Sequence, residues 1–191
     1  MSAAALFGGS FDPVHQGHLE IIRLAEKILP VDHIIIVPAW QNPFKDKTVA
    51  PAHKRLEWLA RVLPDSPKII IDRGEIDANR PIPTIETVER LKPKYDTIYL
   101  IIGGDNLASL PTWHRYDELA KLVHFVIATR RGSPLPEGFI ILPVDVDISS
   151  TAIRNGNFSL VPDAIKDEIK DFYSKDQDDA TRADSTYHQT T

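Results

Sequence analysis

The sequence contains no cysteine. Disulfide cross-links, thiolate nucleophiles, zinc–thiolate sites and iron–sulfur clusters are thereby excluded. Cations are in the minority: 22 Lys and Arg stand against 27 Asp and Glu, a formal net charge of -5. A long nucleic-acid surface needs a basic stripe, and an acidic excess argues against one. A small phosphate pocket, which needs only a few local cations, stays open. No apolar run approaches the roughly 20 residues of a membrane-spanning helix. The start, Met1-Ser2-Ala3-Ala4-Ala5-Leu6-Phe7, has no basic segment ahead of its apolar residues, so it does not read as a signal peptide. These absences lead us to expect a cytoplasmic protein with neither a membrane nor a nucleic-acid partner. Neither a Walker pattern nor Gly-x-Gly-x-x-Gly occurs, which removes the commoner nucleotide-binding signatures. No feature of the chain fixes an oligomeric state.

What is present is an ordinary globular composition, 42% hydrophobic and 26% charged over 191 residues, enough for one domain with a sizeable core. Short β-rich runs alternate with helical patterns. Strands are expected at Ala3 to Phe7, His33 to Val37, Lys68 to Ile71, Thr97 to Ile102, His124 to Ala128 and Ile140 to Pro143. Runs such as Ile34-Ile35-Ile36 are apolar without alternation, as in strands covered on both faces. Helices are expected at Gly17 to Leu29, His53 to Leu63 (Leu56, Leu59 and Leu63 on one face), Thr84 to Leu91, Tyr116 to Leu122, Ser149 to Arg154 and Pro162 to Tyr173. This order predicts an α/β fold: a single-domain, Rossmann-like, doubly wound parallel sheet with helices on both faces. Residues 1–173 form the domain in this reading. The polar stretch 174–191, with little to bury, is expected to be a disordered tail.

Ligands of such sheets bind beyond the carboxyl ends of the strands, and two glycine pairs fall there. The first opens Gly8-Gly9-Ser10-Phe11-Asp12-Pro13-Val14-His15-Gln16-Gly17-His18. Glycine lets the backbone approach a ligand closely. His15 and His18, three apart, share a helix face near its N-terminus, where the dipole and free N–H groups favour an anion. A His-x-x-His pair also suits a metal, but no third ligand lies nearby. The second cluster is Asp147-Ile148-Ser149-Ser150-Thr151-Ala152-Ile153-Arg154. Asp147 or Ser149 can cap a helix there, and Ser150, Thr151 and Arg154 add donors that would stabilise an anionic leaving group.

The first string resembles the signature of the nucleotidyltransferase superfamily that carries His-x-Gly-His, and the second resembles its Ile-Ser-Ser-Thr-x-Ile-Arg motif. The middle of the chain, Ile102-Gly103-Gly104-Asp105-Asn106-Leu107 followed by Leu110-Pro111-Thr112-Trp113-His114-Arg115, is similar to the nicotinate-nucleotide adenylyltransferases. The resemblance runs from Ala3 to about Tyr173. It implies an enzyme of NAD biosynthesis with ATP and nicotinate mononucleotide as substrates. His15, His18, Lys45 and Arg154 would be the catalytic set. Gly8, Gly9, Ser10, Phe11, Gly103, Asp105, Ile148, Ser149, Ser150 and Thr151 would join His15, His18 and Arg154 around ATP. Lys45, Thr84, Trp113 and His114 would hold the acceptor. Mg2+ would ride on the ATP phosphates, with Asp12 in reach through water. Trp113 offers a flat face for a pyridinium ring, or a core side chain. Asp105, an acceptor-only group, suits a ribose diol or a helix cap.

The chain departs from the family at two places. Asn42-Pro43-Phe44-Lys45 stands where Pro-Pro-His and a cation are usual, and Ile82-Pro83-Thr84 replaces Ser-Tyr-Thr. Three other readings suit the same motifs: preference for nicotinamide mononucleotide, another acceptor such as phosphopantetheine, and a nucleotide sensor without turnover.

Overall fold

The computed structural model describes residues 1–41, 50–130, 138–146 and 149–174, with Arg130 as main chain only. Among the described residues six strands form one sheet: β1 (Ala3–Gly9), β2 (His33–Pro38), β3 (Ile69–Ile71), β4 (Thr97–Gly103), β5 (His124–Arg130) and β6 (Ile140–Val144), in the order β3-β2-β1-β4-β5-β6. Every pairing is parallel, so each connection must cross over the sheet. The helices among the described residues are α1 (Gln16–Ile28), α2 (Ala52–Val62), α3 (Gly74–Ala78), α4 (Thr84–Leu91), α5 (Tyr116–Leu122), α6 (Ser150–Arg154) and α7 at 163–174. Among the described residues no helix is long and apolar enough to cross a membrane.

The continuous apolar runs of the strands feed two cores. Ala5 and Phe7 of β1, Ile34 and Ile36 of β2 and Ile101 of β4 face a cluster with Ile22, Ala25, Trp58, Leu59, Ile165 and Ile169 of α1, α2 and α7. The alternate residues, Ala4, Leu6, Ile35, Val37, Leu100 and Ile102, face Ile85, Val88 and Leu119 of α4 and α5. Side chains of a strand point alternately to opposite faces, and here both faces are covered. That is why the strands read as unbroken hydrophobic runs.

One expected face is rotated. Helix α2 buries Ala52, Arg55, Trp58 and Leu59, whereas Leu56 remains half-exposed. Helix α3 was not anticipated; five residues are too few for a periodic signal. Two 3-10 turns, Gly104–Asn106 and Leu110–Thr112, also fall in what the sequence leaves as loop. The stretch 175–191 lies outside the described residues. Ile165, Ile169 and Tyr173 are core residues, so the last helix belongs to the domain.

The chain reverses its progression across the sheet between β1 and β4, which are neighbours. Such a switch point opens a crevice at the carboxyl ends of the strands, and both glycine pairs stand on its rim.

Candidate active site

A cavity of about 530 Å³ opens beside the ends of β1, β2 and β4, within the range of small-molecule pockets. Gly8, Gly9, Ser10, Gly103, Thr84, Trp113 and His114 all line it. A Cβ on Gly8 would meet only the Val37 carbonyl oxygen at 3.9 Å, and one on Gly103 only the Asn106 side chain at 3.6 Å. These are ordinary contact distances, so packing inside the protein does not require glycine at either place. Close approach by a ligand would. Gly9 differs: its Cβ would come within 3.1 Å of the Phe11 ring.

Phe11 has a φ of 47°, a left-handed conformation uncommon outside glycine. It is 1% exposed, and its ring lies edge-on to His18 at 4.9 Å and to Phe7 at 5.6 Å. Its side chain therefore supports His18, and what it can offer a nucleotide is main chain. The His15 and His18 rings stack at 3.8 Å. The His15 backbone N–H donates to His18 Nδ1 at 3.2 Å. An accepting Nδ1 places the proton of the neutral ring on Nε2.

Helix α1 offers fewer backbone donors than its sequence promised. The Gln16 N–H donates to the Leu160 carbonyl at 2.9 Å, and the His18 N–H to the His15 carbonyl at 2.9 Å. The imidazoles and the helix dipole carry any anion attraction that remains there.

The second motif closes on the first. Ser149 is the N-cap of α6 and accepts the Ala152 N–H at 3.1 Å. Ser150 Oγ donates to the Pro13 carbonyl at 3.0 Å. Arg154 donates to the Asp12 carbonyl at 2.6 Å and to Thr151 Oγ1 at 3.0 Å. Residues more than 130 apart in sequence thus share one surface. Asp12 is 3% exposed, and its Oδ1 accepts from the Ala50 N–H at 3.0 Å and the Tyr173 hydroxyl at 2.6 Å, which fastens the loop to α7. Its Oδ2 lies 3.8 Å from Arg154. Burial, then the adjacent Asp12 charge, push the Tyr173 hydroxyl far above its ordinary pKa, so it remains a donor.

On the opposite wall, Thr84 begins α4, and Pro83 in the N-cap position gives no side-chain acceptor. An anion there would meet the positive end of the helix. Trp113 is half-buried, packs on the second core cluster and also lines the cavity. Arg115 has a φ of 53°. It pins this segment to α4 and α5 by ion pairs to Glu89 at 2.7 Å and Glu118 at 2.5 Å. Asp105 is exposed, on the turn that follows β4. Lys45, Phe44, Asp147 and Ile148 lie outside the described residues. Among the described residues no group of three or more His, Asp or Glu could hold a metal ion.

Residues 6–156 match the profile of the cytidylyltransferase-like family. A probable nicotinate-nucleotide adenylyltransferase of Sulfurimonas denitrificans is 46% identical over 177 residues, 92% of this chain and 97% of that protein. One from a Nitratiruptor species is 42% identical over 172 residues, 88% and 97% of the two chains. The chain belongs to the nicotinate-nucleotide adenylyltransferase family. In fold it is similar to the Plasmodium falciparum nicotinic acid mononucleotide adenylyltransferase complexed with NaAD, with a TM-score of 0.73 at 20% identity over 91% of this chain and 98% of that one.

Two further residues, outside the sequence motifs, brace the loops beside the cavity. Arg55 is 0% exposed. It donates to the Ala50 carbonyl at 3.0 Å, to those of Ala39 and Trp40 at 2.7 Å each, and to that of Ser10. It therefore ties the loop after β1 to the loop after β2. Burial lowers its pKa, and the charges of Asp12 and Glu75 oppose that shift; a guanidinium stays cationic there. Glu75, in α3, lines the cavity. It accepts the Trp40 N–H at 2.9 Å. Burial pushes its pKa up, against the N–H groups of Trp40 and Ile82 and the Arg55 charge. A signal for Arg55 existed: with Ala52 and Leu59 it continues the apolar face of α2 at helical spacing.

Proposed function

We propose that this chain transfers the adenylyl group of ATP to nicotinate mononucleotide, giving nicotinate adenine dinucleotide and pyrophosphate. The observation that carries this reading is one crevice with two chemically different walls. The Gly8-Gly9-Ser10 loop lines one side and leads on to the helix that carries the paired imidazoles, and Trp113, His114 and the N-terminus of α4 line the other.

The acceptor's 5′-phosphate is already an anion and attacks the α-phosphorus of ATP in line. The bond from that phosphorus to the oxygen bridging to the β-phosphate breaks, and pyrophosphate leaves. No general base and no enzyme nucleophile is required. The protein supplies position and positive potential. His18, donating through Nε2, acts on the α-phosphate, with His15 beside it. Lys45 and Arg154 steady the leaving phosphates, and Ser149, Ser150, Thr151 and Ile148 form the edge over them. Gly8, Gly9, Ser10, Phe11 and Gly103 bring main chain to the nucleotide, and Asp105 holds its ribose. Mg2+ enters with ATP as part of the substrate, bound through the phosphates. The product, a dinucleotide precursor of NAD, is consistent with the names of the relatives.

Acceptor choice follows from the far wall. Trp113 stacks on the pyridine ring, and N–H groups near Thr84 and His114 face its carboxylate. Charge-assisted bonds to a carboxylate exceed those to a neutral carbonyl, and the amide's NH2 would meet a donor. Competition between the two mononucleotides should favour the acid at least about tenfold, or about 1.4 kcal/mol. Equal specificity constants would mean that this wall does not read the carboxylate.

A further inference from the structure

We propose that Glu75 is a positioning residue for the acceptor, holding the pyridine-side wall at a fixed distance from the phosphate loop through the peptide of Trp40. The inference rests on the acceptor assignment above and adds a residue outside every sequence motif. Trp40 is gripped from both sides: its N–H donates to Glu75 Oε2 at 2.9 Å, and its carbonyl accepts from Arg55 Nη2 at 2.7 Å. The same guanidinium donates to the Ser10 carbonyl on the phosphate loop. Glu75 lines the cavity together with Ile82, Pro83 and Thr84, and the N–H of Ile82, two residues before Thr84, stabilises its charged form. A continuous run of hydrogen bonds therefore leads from Ser10 through Arg55 and Trp40 to Glu75, which stands beside Ile82 on the acceptor side of the cavity.

The residue type fits the task. Two backbone N–H groups converge on one side chain, and a carboxylate is acceptor-only. Both interactions are charge-assisted, and the guanidinium beyond Trp40 compensates part of the cost of burying the charge. Glutamine offers a neutral oxygen in place of the charge, so its bonds to backbone N–H groups are weaker. In-line attack is sensitive to such spacing: an ångström of misplacement is enough to cost about a hundredfold.

Glu75→Gln tests the proposal in the full-length protein. The value of kcat/KM for nicotinate mononucleotide should fall at least about thirtyfold. The Kd for ATP, measured by calorimetry without acceptor, should stay within about threefold. A structural pin would instead move both substrates together, or lower only the active fraction; either result, or unchanged kinetics, overturns the proposal. Glu75→Asp keeps the charge but shortens the reach, and carries the same comparison should the glutamine variant not fold. Wild-type turnover separates the two readings. If the wild type prefers a different acceptor, the assignment of nicotinate mononucleotide fails, and the comparison is made with the preferred one.

Discussion

Replacement of His18 by alanine should lower kcat at least about a hundredfold, the usual cost of losing one preorganised donor to a charge that builds up in the transition state. The ring is held on three sides. Phe11 packs edge-on to it at 4.9 Å, His15 stacks on it at 3.8 Å, and the His15 N–H fixes its Nδ1 as an acceptor. Such a ring is oriented before substrate arrives, with its proton on Nε2. Removing it takes away a donor without disturbing the pyridine wall, so the KM for the acceptor should change far less than kcat. His15→Ala should act in the same direction. Steady-state kinetics with both substrates varied will read this. Near wild-type turnover in the His18 variant would make the stacked pair a packing feature.

The largest effect on stability should come from Arg55. Its replacement by methionine keeps much of the volume but leaves the carbonyls of Ser10, Ala39, Trp40 and Ala50 without the cation they converge on. Removing one partner from a buried charged network typically costs about 3–5 kcal/mol, and we expect at least about 3 kcal/mol here. Chemical denaturation should show a lower midpoint with an unchanged slope. Activity should fall too, because the two loops that flank the crevice lose their common anchor. A midpoint equal to that of the wild type would mean that the four carbonyls find other donors at little cost.

Much of this molecule was legible in its sequence because the signals were local. Unbroken apolar runs located all six strands, with ends displaced by one or two residues. Helices α4 and α5 fall on their expected ranges. Gly8, Gly9 and Gly103 line the cavity, and strand order alone puts the ends of β1 and β4 that carry them side by side.

What escaped was non-local. Asp12 looked available to solvent until Tyr173, which follows it by 161 residues, was seen bonded to it. The α1 N-terminus looked rich in free N–H groups until the Leu160 carbonyl took one of them. Arg55 and Glu75 are ordinary residue types on ordinary helices. Their roles arise only when the loops after β1 and β2 and the approach to α4 are brought within hydrogen-bond distance.

The most direct measurement is product formation from MgATP and nicotinate mononucleotide by the purified protein, with pyrophosphate and dinucleotide followed together. The account predicts equimolar pyrophosphate and nicotinate adenine dinucleotide, and neither when the acceptor is withheld. No dinucleotide from any pyridine mononucleotide, with magnesium and ATP at saturating concentration, would contradict it.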